Sequence, residues 1–540
     1  MSSGDFMFHA NRMEELYQDV IRGTFIPRIS TYTFNQVGSG INFFYPWILL
    51  YPFVIFRILF HNPIIAFYLF ILFYTYLTIF IAYICMYSYS GSYLRAFIFA
   101  LLYTFSNYHF YLVWNQNVLA EALAYTFLPI VFLGFYEIFF NNYNQWPLLG
   151  IGMTFLIFSH MLTTILSAIV MLIILLVTLP LISNIISRFI NAVKAALLSS
   201  LLSAFYLVPF YEQWERTKVR GSWLGLMLVQ TPFDTVKNAL NNVSSPNIGI
   251  LLLIVVILGA FYLKKSNPID RSTYYIGLTL LLLTTSLVPW SHLKSTPIAI
   301  LQFPYRLNGL ATLMLSVYLS SIVASWIKIS RFKSFYLECL SILASILIIF
   351  TLNIDIALQT TDYRQSLPRM SEKQTFRRYL PDKNYSFNIT AHDWNNMFGY
   401  FGHNGAFDYY PKSLAKSMEI TVATHHAWIN GNKVDVSSRI SKLPNELSYD
   451  LSGFPSGSKI TLPAIYYFND VVKTGRGHFQ KPQVDNNNLI QIRIPKRDKK
   501  VTVKYQDSFI DIASLWISLL SWIGLIVSSF WKKHNLRRKV

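Results

Sequence analysis

In GDFMFHANRMEELYQDV, residues 4–20, Asp5, His9 and Arg12 stand at i, i+4 and i+7. A helix would bring all three to one face within about two turns. A carboxylate, an imidazole and a guanidinium so grouped suit proton removal from a hydroxyl beside a phosphate. Asp5 would be the general base, with Arg12 and His9 the partners of the departing phosphate. The plainer alternative is a solvated amphipathic segment with an ordinary i, i+4 pair. Glu14 and Glu15 follow, but by helical angle at most one lies near that face, so both are expected in solvent. A second cluster is QFPYRLNGL, residues 302–310, where Arg306 follows Pro304 at the start of an apolar helix. A cation there faces a lipid phosphate at headgroup level, or else is a snorkelling arginine. Glu121, in NQNVLAEALAYTF, lies near the outer end of another apolar run. Carboxylates at that depth are expensive and face a polar site or a basic partner. His160, at the polar break SHMLTT, either lines the same outer region or is a structural residue. Tyr45, Pro46 and Trp47 read as an interfacial aromatic anchor.

Other chemistries find little support. His425 and His426 are adjacent, so on a strand they would point to opposite faces and cannot both hold a metal. No HExxH, P-loop or GxSxG pattern occurs. Cys85 and Cys339 sit inside apolar runs and define neither a disulfide framework nor a cysteine zinc site.

The elements that must position these residues are membrane helices. Of 540 residues, 53% are hydrophobic and 13% charged, too little polar surface to cover a soluble globule of this size. The excess of 45 Lys and Arg over 26 Asp and Glu falls largely in short loops and the tail, which reads as membrane orientation and not as a nucleic-acid footprint. Apolar runs occur near 64–87, 93–106, 116–138, 190–209, 248–263, 273–290, 308–326, 335–352 and 512–530. The stretch 147–182 is too long for one crossing and breaks at SHMLTT, giving two helices and about eleven crossings in all. The basic tail WKKHNLRRKV and the basic segments at 188–194, 263–265 and 327–333 belong in the cytoplasm. The expected divisions are an extracytoplasmic loop with an interfacial helix (1–63), a multi-helix transmembrane domain (64–355), an extracytoplasmic β-rich domain (356–508), and a last helix with a cytoplasmic tail (509–540). Within the β-rich domain MEITVAT, SKITLPAIYYF, LIQIRI and VTVKY read as strands, and the PKRDKK turn as a hairpin joining the last two.

Three motifs then coincide in order: GDFMFHANRMEEL with GTFIPRIS and GSGINFFYPWILLYP, then SHMLTT, then LQFPYRLNGLAT. They resemble the bacterial YfhO-type membrane proteins and the related family labelled pyruvoyl-tetrahydropterin-synthase-related. Both are similar to the GT-C superfamily of polyprenol-phosphate-sugar-dependent glycosyltransferases. The resemblance covers most of residues 4–352. It implies a GT-C-like polytopic fold whose first extracytoplasmic loop carries the catalytic carboxylate, at the position of Asp5. His9 and Arg12 continue that motif, and Arg306 falls where a phosphate-binding arginine is expected. Such a loop normally follows a first transmembrane helix, which is missing before Asp5; a late start, a truncation or divergence is the expected cause. The pterin label is set aside, because a pterin synthase needs a dense zinc-histidine site and the sequence shows none.

The expected function is therefore a membrane glycosyltransferase of a bacterial cell membrane, moving a sugar from a polyprenyl-phosphate donor to a cell-envelope glycopolymer or glycolipid on the outer face. Asp5 would be catalytic, and His9, Arg12, Arg306, Glu121 and His160 would hold donor phosphate or substrate. The partners are membrane lipid and lipid-linked sugar, with no nucleic acid, and a divalent metal is left open. Trp394, Tyr409 and Tyr410 are candidates for stacking on acceptor sugars. The rival readings are a transporter or flippase of a lipid-linked saccharide, and an inactive membrane scaffold.

Overall fold

Apolar segments that must satisfy their own backbone in lipid have the helix as their solution, and the apolar runs above are helical, with the run 190–209 divided between two helices at Ser203. The computed structural model describes residues 4–221, 228–329, 335–365, 389–399 and 407–537. After α1 (Phe6–Val20) and the short α2 (Tyr51–Phe60) come α3 (Pro63–Ser90), α4 (Tyr93–Thr104), α5 (Leu119–Phe140) and α6 (Pro147–Ile157). They are followed by α7 (Met161–Thr178), α8 (Ile185–Leu202), α9 (Ala204–Thr217), α10 (Gly249–Leu258) and α11 (Pro268–Leu283). The helical domain closes with α12 (Asn308–Ile329) and α13 (Phe335–Gln365). Among the described residues six helices are long and apolar enough to cross a membrane, or seven if α4 and its bent continuation form one span. Four of the eleven expected crossings, α4, α6, α10 and α11, have only 12, 11, 10 and 16 residues. The reasons are local: α6 stops where the chain turns at His160, and α10 tightens into a 3-10 stretch whose Gly259 carbonyl accepts the Tyr318 hydroxyl at 2.8 Å.

The polar stretch is built differently from expectation in three places. The helix α13 runs to Gln365, ten residues beyond the expected boundary at 355. MEITVAT is not a strand: it forms most of α14 (Lys416–Ala423), which lies over two strands as a cover, buries Val422 and Ala423, and pairs its Glu419 with Arg220. Tertiary contacts here override the β preference of Ile, Thr and Val. Residues 366–388 and 400–406 of that stretch lie outside the described residues.

The strands β1 (His426–Ile429), β2 (Asn432–Asp435), β3 (Ile440–Leu443), β4 (Glu446–Asp450) and β5 (Lys459–Ile465) are followed by β6 (Asp470–Thr474), β7 (Gln483–Val484), β8 (Leu489–Arg493) and β9 (Lys500–Tyr505). They form two antiparallel sheets, ordered β2-β1-β5-β8-β7 and β3-β4-β9-β6. Leu447, Tyr449, Ile460, Leu462, Ile490, Val501 and Val503 fill the space between them. The expected hairpin is absent, because β8 and β9 belong to different sheets and PKRDKK crosses from one to the other. After β9 the chain enters α15 (Phe509–Arg537).

The loop between α1 and α2 joins the sandwich to the helices. Asn445 Oδ1 accepts the N–H groups of Arg28 and Ile29 at 2.7 and 3.1 Å, Arg28 pairs with Asp507 at 2.8 Å, and the Ile465 N–H donates to Val37. The same loop folds back over α1, and this overturns the expectation that Glu14 and Glu15 face solvent. Glu15 accepts the N–H groups of Thr31, Tyr32 and Thr33 and the Thr33 hydroxyl, all at 3.0 Å or less. Glu14 accepts from the Trp394 indole at 2.9 Å and from Gln18 at 2.6 Å.

At the other end of the bundle Arg95 and the fully buried Asp270 pair at 2.6 Å. Asp270 also accepts from Ser321, Asn267 and Tyr89, so one carboxylate ties α3, α4, α11 and α12 together. Replacing Asp270 with Ala strands a buried guanidinium and should cost about 3–5 kcal/mol in unfolding experiments in lipid nanodiscs, whereas the double change Arg95→Met with Asp270→Leu should recover most of it.

Candidate functional site

Asp5 occupies the N-cap position of α1, yet its carboxylate makes no capping bond. Its N–H instead donates to the Gln116 carbonyl at 2.8 Å, which fixes the start of α1 against the turn before α5. Gly4 makes that approach possible: a Cβ there would lie 1.8 Å from the Gln116 oxygen. Two turns on, the Arg12 guanidinium donates to His9 Nδ1 at 3.1 Å and to the Pro46 carbonyl, and lies over the Tyr45 ring at 4.7 Å. Because a guanidinium only donates, His9 Nδ1 is the acceptor and its neutral ring carries the proton on Nε2. Burial, with Arg12 and His160 nearby, holds the His9 pKa well below its ordinary value.

Arg306 reaches the same region from the 3-10 turn Pro304–Leu307 that leads into α12. Its Nε is 3.4 Å from Glu121 Oε2, and its Nη1 donates to Gln302 Oε1 at 2.7 Å and to the Leu301 carbonyl. Glu121, in the first turn of α5, accepts the Tyr108 hydroxyl at 2.5 Å on its other oxygen. His160 caps the start of α7, with Nδ1 2.8 Å from the Thr163 hydroxyl. Burial, with Arg306 and Arg12 in reach, pushes the His160 imidazole down to about 3. All six residues singled out from the sequence thus lie in one polar cluster, through which Asp5 is within electrostatic reach of Arg306 and Glu121. Asp5 is open to solvent, yet burial by the surrounding protein still raises its carboxyl above the ordinary range, against the opposing pull of Arg306.

The helices arrive with a common sense. α1, α5, α7 and α12 all begin at this cluster, so four sets of unpaired N–H groups and four positive dipole ends meet around it. An anion is the ligand that such an arrangement favours.

Sequence reasoning missed several participants. Asp408 faces the cluster from the segment before α14; burial, then Asp5, then Glu419 push its carboxyl up to about 6. Its neighbour Tyr409 stacks on Phe44 at 5.0 Å and meets Tyr45 edge-on at 6.1 Å, which carries Asp408 over the start of α1. The aromatic pair in FDYYP was legible, but nothing in one sequence joins it to FFYPW. The expected aromatic anchor is likewise corrected: Pro46 and Trp47 are buried, and Tyr45 packs against Arg12 and His9, not against lipid. Of the three aromatics proposed to stack on sugars, Trp394 and Tyr410 are fully buried and unable to do so. Among the described residues no three His, Cys, Asp or Glu side chains are grouped as metal ligands.

A family model described as 6-pyruvoyl-tetrahydropterin synthase related domain, membrane protein, matches residues 43–361, more than half of the chain. The chain belongs to this family. No curated protein matches it. The membrane character of the family agrees with the six or seven apolar helices, and the match is consistent with the YfhO-type resemblance read from the motifs. The family segment contains Glu121, His160 and Arg306, whereas Asp5, His9 and Arg12 precede it and Asp408 follows it.

Protonation of the two raised carboxyls, Asp5 within reach of Arg306 and Asp408 within reach of Asp5, removes negative charge from the cluster, so anion binding should strengthen as pH falls. Calorimetric titration with hexyl sulfate, whose own charge is fixed, should show affinity rising several-fold from pH 7.5 to 5.5, and Asp408→Asn should flatten the part of that slope centred near 6.

Proposed function

We propose that the protein is a GT-C-like membrane glycosyltransferase that moves a sugar from a polyprenyl-phosphate donor to a cell-envelope acceptor on the side of the membrane occupied by the β-sandwich. The observation that carries this reading is the opposition of Asp5 and Arg306 at the level where α5, α7 and α12 begin. A lipid-linked phosphate, tethered in the bilayer, has its charge at that level. In the transfer, Asp5 takes the proton of the acceptor hydroxyl while that oxygen bonds to the anomeric carbon. The bond from that carbon to the phosphate oxygen breaks, and its electron pair stays on the phosphate beside Arg306.

The division of labour among the cations follows from their bonds. Both terminal nitrogens of Arg12 are committed to His9 and Pro46, and the residue is 2% exposed. We therefore assign it the positioning of His9 and of the Tyr45–Pro46 turn, and give the phosphate contact to Arg306. Glu121 holds Arg306 in place, and Tyr108 holds Glu121. The neutral His9 and His160 offer ring N–H groups without adding fixed charge.

The basic tail, placed on the cytoplasmic side by the positive-inside rule, puts the sandwich outside. A transporter would need intramembrane charges left unsatisfied for a cargo, and the Arg95–Asp270 pair is already saturated by its neighbours. Asp5→Asn should lower sugar transfer from labelled polyprenyl-phosphate sugars by about 100- to 10,000-fold while donor binding is retained; full transfer by that variant would sink the assignment.

A further inference from the structure

The β-sandwich gathers a group of exposed basic residues at one end. The strand β9 leads within four residues into α15, so Tyr505 marks the membrane-facing end and Lys500, five residues earlier, lies roughly 17 Å further out at the usual strand rise. The antiparallel register places Asp470 of β6 opposite Tyr505 and Thr474 opposite Val501, so the turn after β6 leaves from the far end. That turn and the PKRDKK crossing are pressed together: the Gly475 N–H donates to the Lys500 carbonyl at 2.7 Å. Gly475 has a φ of +55°, and a Cβ on it would lie 2.7 Å from the Asp498 carbonyl oxygen. In the other sheet Arg493, the last residue of β8, pairs in register with Lys459, the first of β5. Both sheets therefore deliver their basic residues to the same tip.

Arg476, Arg493, Lys496, Arg497 and Lys500 are all exposed there, and Asp498 is the single carboxylate in the two turns. Among the described residues none of the five is in an ion pair. Glu446 and Asp470 lie at the opposite, membrane-facing end, and Asp450, in register with Lys500, is the carboxylate that β4 brings to the tip. Like charges directly opposite on neighbouring strands, such as Lys459 and Arg493, are destabilising, and a partner anion would relieve that repulsion.

We propose that this tip binds a flexible anionic polymer bearing a phosphate in each repeat. Distance decides against the bilayer as its partner: roughly 17 Å is about two screening lengths at physiological salt. A single small anion would meet only one or two of these exposed cations, whereas a chain of phosphates spans both turns and the end of β8. The site is separate from the Asp5 cluster, and it stands whether or not sugar transfer is the reaction there.

The test uses the full chain in nanodiscs of zwitterionic lipid, with fluorescent poly(glycerol phosphate) as the probe. The expected result is saturable binding that weakens steeply with added salt, as counterion release requires. The triple variant Arg476→Glu, Arg497→Glu, Lys500→Glu should bind roughly tenfold or more weakly with an unchanged melting temperature. Three outcomes would overturn the proposal: no saturable binding at low salt, equal binding by the variant, or preference for phosphatidylglycerol vesicles or duplex DNA over the polymer.

Discussion

Burial of the charged groups of α1 is the constraint to which the rest of the molecule answers. His9, Arg12, Glu14, Glu15 and Asp19 are each exposed by 2% or less, and an unpaired buried charge costs several kcal/mol. Relief comes from regions far apart in sequence: amides of residues 31–33 for Glu15, the indole of Trp394 for Glu14, and the Pro46 carbonyl for Arg12. Asp19 finds no hydrogen bond for either oxygen. Burial, with Glu15 beside it, pushes its carboxyl up to about 9, so it is neutral near pH 7. The loop over α1 exists in its observed form because it must bring these partners inward.

That requirement also fixes the sandwich. The residues that cap Glu15 are followed by backbone that bonds to the sandwich, with the Thr31 hydroxyl donating to Leu443 and the Ile465 N–H to Val37. From the other direction Gln213 of α9 donates to the Phe468 carbonyl. Asp408 and Tyr409 are thereby held over the start of α1, with the ion pairs Arg28–Asp507 and Arg220–Glu419 adding to these bonds. A polar cluster assembled in this way draws on the N-terminal helix, the family-matched bundle and the segment before the sandwich.

What the sequence made legible follows from the range of the forces involved. Helix formation by apolar runs is local, and the runs are helical; whether a helix is long enough to span depends on where a turn interrupts it, as at His160 or Gly259, and hydropathy alone misses that. The grouping of Asp5, His9 and Arg12 is a matter of helical spacing and was readable, while the convergence of Glu121, His160 and Arg306 on it is tertiary. The inward turn of Glu14 and Glu15 was illegible because their partners lie 16 to 380 residues away. MEITVAT and PKRDKK were misread for a related reason: strand preference and turn chemistry specify a local shape, not the sheet in which a segment finds a neighbour.

The two arginines of the cluster differ in position and not in charge. Arg12 and Arg306 both approach an aromatic face, at 4.7 Å from the Tyr45 centroid and 5.1 Å from that of Phe303. Burial lowers the Arg12 pKa to about 10, still far above neutrality, so its charge persists and is answered by the His9 nitrogen and one carbonyl. No carboxylate pairs with it, and its positive charge is one reason that His9 and His160 stay neutral. Arg306 keeps partial exposure and a carboxylate at 3.4 Å, so its charge is answered by Glu121 while its side chain is not fully enclosed. Two neutral imidazoles, one locked arginine and one arginine paired to Glu121 make up the basic side of the cluster.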